Sequence, residues 1–404
     1  MADRGRGEAG RSGDDVRSDL HADVALTDGG GLEIEVVSKV GSLYGDSIRE
    51  TARSTLVGLG VEHARVRIDD KGAVPFVIAA RVEAAAKLAG APGGGDGRPP
   101  RTAPESEHTL RDRLRRSRLY LPGDQPKLQL NAGLHGPDAV ILDLEDSVHP
   151  SQKDAARLVV RNALRCVDFG PAERMVRINQ LPLGIEDLQA IVPEKPDLVL
   201  IPKTETAEHV AEVDSRIRAI LGEPAAGDAP VWIMPILESA LGVENAFEIA
   251  SASPAVVALT IGLEDYTADL GVRKTAEGAE SLYARGRLVN AARAAAVQAI
   301  DSVFGDVADE VGLRAWASRS RGMGFEGMGC IHPRQIRPIH EAFAPSAAEI
   351  ERALRVVAAF NEAEARGLGV VSLGTRMVDP PVVLRAQRLV AFARQAGLIE
   401  ESGP

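Results

Sequence analysis

Two carboxylates, Glu238 and Asp265, close the apolar runs VWIMPILES and VVALTIGLED. Hard oxygen ligands on neighbouring runs, with water filling the remaining positions, suit Mg2+. The competing reading is a pair of helix caps or rim salt bridges. Arg177 and Asn179 close VRIN. An arginine fork there can hold a carboxylate by two parallel hydrogen bonds, and the amide can orient a carbonyl. An internal ion pair of Arg177 with Glu145 or Asp146 accounts for that arginine equally well. DLED gathers Asp143, Glu145 and Asp146 after one run, more negative charge than a rim leaves unpaired. These three are expected to orient metal waters and to hold Arg177. Arg118 in RSRLYLPG and Lys203 in DLVLIPK complete the set of candidate substrate-binding cations. For Lys203, enolate stabilisation, a Schiff base and a plain salt bridge are all open, and the salt bridge is the simplest. His332 in CIHP is read as a hydrogen-bonded structural residue rather than a base.

Each of these residues lies in or ends a short apolar run that leads into a helical segment. The runs begin at Arg118, Asp138, Arg174, Asp197, Val231, Val256, Gln298 and Gly327. Eightfold alternation of this kind predicts an α/β fold, a (β/α)8 TIM barrel, in which the strand ends form one rim that carries the active site. Glu264, Asp301 and His332 close further runs, so polar side chains ring the predicted rim and point to an enzyme.

The 404 residues exceed what one core usually organises, and 45% apolar content is that of a soluble globular chain. No stretch of about twenty apolar residues occurs and the start of the chain is polar, so neither membrane insertion nor Sec-type export is expected. Cys166 and Cys330 lack metal-ligand spacing and cannot build a disulfide framework, which suits the cytoplasm. A net charge of -11 argues against nucleic acid as a partner.

Residues 1–30 are rich in Gly, Asp, Arg and Ser and are expected to be disordered. A small α+β domain is predicted over 31–91, from a strand at Leu32, a helix at Ser47, a strand at Ala64 and a helix entered through DDKG. Gly and Pro mark a flexible linker over 92–112. The barrel is placed at 113–340, and 341–404 holds two helices around a turn-containing loop.

The ordered motifs RSRLYLPG, DAVILDLEDSV with KDAAR, VRIN, LVLIPKTET, PILESALGV, GLEDYTADLG, YARGRLVNAARAA, AIDSVFGD and CIHPRQI resemble the HpcH/HpaI aldolase and citrate lyase beta-subunit superfamily over residues 113–395. The resemblance implies a Mg2+-dependent carbon-carbon lyase. Its products are a 2-keto acid and an acyl thioester, from citryl-, malyl-, methylmalyl- or citramalyl-type substrates held on CoA or on a carrier. It implies Glu238 and Asp265 as metal ligands and Arg177 as the grip on the keto acid. It further implies a lid, GTRMVDPPVV, that supplies Asp379 to a neighbouring subunit, and hence a homo-oligomer, a trimer or hexamer. Residues 20–90 resemble a different protein, the gamma subunit of citrate lyase, a small acyl carrier. That family bears its prosthetic group on a serine just before a DV dipeptide. In DLHADVAL, His21 and Ala22 stand in that place and Ser18 lies three residues upstream. The amino-terminal domain is therefore expected to carry no covalent group, to serve in docking, and to be removable without unfolding the barrel.

Two rival readings accompany the lyase. One is a pyruvate-type class II aldolase acting on free hydroxy-keto acids. The other is a non-catalytic, citrate-lyase-like assembly subunit. A hydrolytic step after condensation also fits a lid carboxylate.

Overall fold

The chain begins with an antiparallel pair of strands, β1 (Asp3–Gly10) and β2 (Leu20–Thr27), followed by β3 (Leu32–Ser38), a helix Gly41–Gly58, β4 (Ala64–Asp70) and a helix Pro75–Leu88. This computed structural model describes residues 3–104, 109–222, 231–365, 371–373 and 376–400. The four strands form one sheet in the order β1-β2-β4-β3, with β3 parallel to β4 and the other pairs antiparallel. Disorder expected over residues 1–30 is thus replaced by two strands, and the small domain starts well before residue 31. The glycines that suggested disorder serve packing instead. A Cβ on Gly5 or Gly7 would run into the backbone carbonyls of Ala89 and Ala85, so β1 lies directly against the helix Pro75–Leu88 only because it lacks side chains there.

That helix, PFVIAARVEAAAKL, is buried on every side from Phe76 to Ala86, the pattern of a helix enclosed between two layers. One layer is the amino-terminal sheet. The other is the barrel helix Lys153–Cys166, itself buried from Ala155 to Leu164. Two charges inside the enclosed helix are paired across the layers. Arg81 binds Asp19 through Nε and Nη2 at 2.9 and 2.8 Å and also donates to the carbonyl of Asp124 at 2.9 Å. Glu83 accepts from Arg161 at 3.0 and 2.6 Å. The apolar side chains of the two domains form a single continuous core.

The described part of 92–112 is not a free linker either. Arg98 and Arg101 bind the buried Glu194 at 3.1 and 2.6 Å, and Trp232 donates its indole N–H to the carbonyl of Thr109 at 2.7 Å. Gly and Pro there shape a strap that three ion pairs and hydrogen bonds hold down.

The barrel strands are β5 (Ser117–Pro122), β6 (Ala139–Asp143), β7 (Glu173–Arg177), β8 (Leu198–Ile201), β9 (Trp232–Leu237), β10 (Ala258–Ile261), β11 (Gln298–Asp301) and β12 (Gly327–Cys330). Successive strands pair in parallel and β12 closes onto β5. AVILD, LVLI, WIMPIL and ALTI are buried throughout, as parallel strands covered on both faces must be. The tail forms a separate unit. Helices Ala347–Ala365 and Pro380–Gln395 pack on each other through Ala353, Val356, Val383 and Val390, with a hairpin of β13 (Val371–Leu373) and β14 (Arg376–Val378) between them. Among the described residues no helix is long and apolar enough to cross a membrane.

The enclosed helix makes the two domains one cooperative unit, contrary to the expectation that residues 1–108 are dispensable. Glu83→Ala leaves the Arg161 guanidinium buried without its carboxylate and is expected to cost roughly 3 kcal/mol. A calorimetric scan should show one transition for the full chain and a lowered one for the variant. Separate melting of the two domains, or an unchanged midpoint, would contradict the shared core.

Candidate active site

The rim at the carboxyl ends of β5 to β12 gathers most of the predicted residues. Glu238 follows β9 directly and is 4% exposed. Asp265 does not end β10 itself. It stands in the first turn of the short helix Leu263–Asp269, reached from β10 through Gly262. A Cβ on Gly262 would lie 2.7 Å from Cγ of Glu238. Glycine at that position therefore lets the turn close over the carboxylate and bring Asp265 into hydrogen-bond contact with it. Burial, and then the neighbouring Asp265 carboxyl, push Glu238 up to about 9.

Facing this pair is Arg177, the last residue of β7. Its Nε and Nη2 donate to the two oxygens of Asp143 at 2.7 and 2.8 Å, and Nη1 lies 3.0 Å from Glu145 and 3.4 Å from Asp146. The register explains the fit, since Asp143 and Arg177 are directly paired positions of β6 and β7. Burial alone would raise the Asp143 carboxyl, but the Arg177 fork and its charge hold it below the ordinary range. Asp143 also accepts from the backbone N–H groups of Glu145 and Ser147, which folds DLEDS into a tight loop. For Glu145, burial outweighs the attraction of Arg177 and the net shift is upward. Lys203 lies across the mouth, 3.6 Å from Glu145 and 3.7 Å from Asp265.

Counting only the groups that face each other across the mouth, Asp143, Glu145, Glu238 and Asp265 stand against Arg177 and Lys203. With Asp146, 3.4 Å from Arg177, five carboxylates stand against two cations, so the mouth is net negative when all are charged. Among the described residues no group of three or more His, Cys, Asp and Glu side chains can hold a metal. Glu238 and Asp265 could supply two carboxylate ligands to Mg2+, with water and substrate oxygens completing its shell, as is common for Mg2+.

Other expected members of the site lie elsewhere. Arg118 is the second residue of β5 and fully buried beneath the rim. It donates to Sδ of Met234 at 3.1 Å, to Thr260 Oγ1 at 2.9 Å and to the Asp301 carbonyl at 3.4 Å. An inward residue so far before the strand end fills the barrel interior and cannot reach a ligand at the mouth. Asn179 is buried with its backbone N–H and its amide N–H2 both donating to Asp187, at 2.7 and 2.8 Å. The backbone N–H and one amide N–H are spent on pinning the helix Gly184–Ile191. Asp301 is likewise consumed, by Arg285, Trp316 and Ser320. His332 accepts from the backbone N–H of Arg334 and caps a short helical turn. Burial pushes the Cys330 thiol up to about 12, which keeps it protonated. Asp379 heads the helix Pro380–Gln395 with an exposed side chain, and among the described residues it makes no hydrogen bond or ion pair to the rim of its own barrel.

Two further features escaped the sequence reading. Tyr120 lies under Arg177, its ring centroid 5.3 Å from the guanidinium carbon, and the alternation of Arg118 and Tyr120 along one inward face was the available signal. The second is the β1–β2 loop. His21 and Ala22 are inside β2, paired with β1 on one side and β4 on the other, where no prosthetic arm could be attached. The other DV dipeptide, Asp15-Val16, lies in the β1–β2 loop together with an exposed Ser12. Arg11 beside it binds Asp124, just beyond the end of β5, at 2.5 Å. This loop therefore rests against the rim of the barrel.

A family model for HpcH/HpaI aldolase/citrate lyase matches residues 116–333, and one for the malonate decarboxylase delta subunit matches residues 11–89. The chain is 40% identical over 294 residues to the citrate lyase subunit beta of Leuconostoc mesenteroides, covering 72% of this chain and 97% of the relative. It is 37% identical over 280 residues to a (3S)-malyl-CoA thioesterase of Cereibacter sphaeroides, covering 69% and 94%. The CitE protein of Mycobacterium tuberculosis, solved with magnesium, acetoacetate and coenzyme A, superposes with a TM-score of 0.57 at 32% identity over 71% of this chain and all of that one.

The raised carboxyl predicts the pH dependence of metal binding. Below about 9 the metal-free Glu238 holds a proton that a cation must displace. Mg2+ affinity should therefore rise with pH up to about 9, with release of close to one proton per ion near neutrality. Because the folded value lies above that of the unfolded chain, the metal-free protein should lose stability from this group as pH climbs toward 9. Added Mg2+ should then raise the melting temperature more at pH 9 than at pH 6. Titration calorimetry in buffers of different ionisation enthalpy measures the proton directly, and no proton release would contradict the assignment.

Proposed function

The chain belongs to the HpcH/HpaI aldolase/citrate lyase family, and we propose that its barrel is a Mg2+-dependent carbon-carbon lyase that cleaves or forms β-hydroxyacyl thioesters of the citryl-, malyl- or citramalyl-CoA type. The observation that carries this reading is a buried carboxyl, Glu238, held beside Asp265 and opposite an arginine fork. A bound Mg2+ supplies Lewis acidity toward the hydroxyl and carboxylate oxygens of the acyl group. The residues supply positioning and proton traffic. Arg177, locked on its inner edge by Asp143, presents its remaining N–H groups to the carboxylate that becomes that of the 2-keto acid. Tyr120 supports the guanidinium from below. Cleavage takes the proton from the hydroxyl, breaks the bond to the α-carbon and leaves the electron pair in a thioester enolate, which needs one proton on carbon. Asp379 is proposed to deliver it, or to remove it in the reverse direction.

Asp379 is proposed to act in a neighbouring subunit. Its helix is anchored on its own chain by Gln395, which donates to the Asp112 carbonyl at 3.2 Å, and the other end of that helix lies about 24 Å away at 1.5 Å per residue. Its exposure, and the lack among the described residues of any hydrogen bond or ion pair to its own rim, support delivery to a second copy in a homo-oligomer. The likeness to a malyl-CoA thioesterase leaves room for the same carboxylate to activate water instead.

A second reading concerns delivery of the thioester. Expecting no covalent group rested on His21 and Ala22, which lie within β2 rather than in a loop. We propose the β1–β2 loop as the attachment region and Ser12 as its hydroxyl, because Arg11 pins that loop on the rim. Docking the domain rigidly would then present the acyl arm to its own barrel.

Purified protein assayed with Mg2+ against malyl-, citramalyl- and citryl-CoA, with trapping of released keto acid, tests the activity. Glu238→Ala should abolish cleavage with the fold intact, and Asp379→Asn should slow it about 10² to 10⁴-fold. Mixing these two inactive variants should restore some activity through mixed oligomers. No recovery under demonstrated subunit exchange would place Asp379 in its own site. Intact-mass analysis from the native host should show a phosphopantetheine-type mass lost in Ser12→Ala, and an unmodified wild-type protein would remove the second reading.

A further inference from the structure

Lys203 has an unusual backbone. Its φ of 46° lies in the left-handed region that residues with a side chain rarely adopt. Such conformations persist only where the surroundings impose them, and they gather at ligand clamps. Here the turn brings both polar ends of the residue to the carboxylates. The backbone N–H points at Oε1 of Glu238, 3.4 Å away, while Nζ sits between Glu145 and Asp265.

Both side-chain contacts, at 3.6 and 3.7 Å, are longer than hydrogen bonds, and the side chain is 35% exposed. This sets Lys203 apart from Arg177, which is fixed by bonds of 2.7 and 2.8 Å. Arg177 is anchored on its inner edge by Asp143, while Lys203 faces both Glu145 and Asp265 and so is the one of the two that spans the mouth. A loosely held ammonium beside a carboxylate pair competes with any metal for the same charge, and one that is displaced is free for an anion.

We infer that Lys203 is the resident counter-ion of the metal site: it balances Glu145 and Asp265 when Mg2+ is away, weakens Mg2+ binding by competition, and on displacement turns to the carboxylate of the keto acid. This rests on the reading of Glu238 and Asp265 as metal ligands. The inference makes loading of the metal and capture of the keto acid cooperative, since the first frees the group that the second uses. No covalent step is involved, and the lysine acts by position and charge.

The test is calorimetric and uses the full chain. Mg2+ is titrated into wild type, Lys203→Met, Lys203→Arg and Glu238→Ala, and pyruvate is then titrated into each Mg2+-saturated protein. Lys203→Met should bind Mg2+ about tenfold more tightly, the order expected from removing one charge beside a divalent ion at a partly exposed site. It should bind pyruvate about tenfold more weakly. Lys203→Arg, which keeps the charge, should stay near wild type in both. A salt bridge that merely braces the rim would instead leave Mg2+ affinity unchanged or lower it on substitution. If wild type binds Mg2+ and either shift in Lys203→Met is missing, the inference is overturned while the metal site stands. Absence of Mg2+ binding in wild type, with heats equal to those of Glu238→Ala, would overturn the metal site and the inference with it.

Discussion

Everything at the rim follows from holding two carboxyl groups in contact, the buried Glu238 and the half-exposed Asp265. Ionised together they repel, and the protein answers for the metal-free state with a carboxyl pushed up to about 9. Keeping them together is the work of adjacent parallel strands and of one glycine, Gly262, whose missing side chain gives Glu238 its space. Such a pair costs stability unless a cation joins it. The surrounding charges leave the mouth net negative, which favours a cation there.

The rest of the barrel is organised around that tension. Arg177 is held by three carboxylates and by the ring of Tyr120, so its guanidinium stays off Glu238 and Asp265. Charges deeper in the barrel are settled differently. Asp301 is saturated by Arg285, Trp316 and Ser320, and Arg118 lies among Met234, Thr260 and a backbone carbonyl. Asp301, so saturated, locks helices to strands, whereas Arg118 keeps a buried Nε without a partner.

The amino-terminal domain changes the picture of how substrate arrives. A carrier on a flexible tether would sample many positions, whereas the enclosed helix Pro75–Leu88, its two buried ion pairs and the strap over Glu194 hold this one in place. Fixing the domain also fixes the β1–β2 loop against the end of β5. The position of that loop is thus set by the fold rather than by a linker.

How much of this was legible in the chain depended on the range of the interactions involved. Eight apolar runs of parallel-strand length, seven of them closed by a polar residue, were enough for the barrel, because burial on both faces leaves its mark within a few residues. Glu238, Asp265, Arg177 and the DLED loop were visible for the same reason, as charges at the ends of those runs. Local composition misled where glycine served packing between segments: Gly5 and Gly7 look like disorder until the helix from Pro75 is laid over them. It also could not tell a rim residue from an interior one, since Arg118 and Arg177 differ only in depth along a strand, nor show that Asn179 spends its backbone N–H and one amide N–H on Asp187. Strand identity, rim order and candidate charges were thus determined by the sequence alone. Depth, pairing and the docking of one domain on the other were decided by tertiary structure, because each depends on which distant segments share the same low-dielectric space.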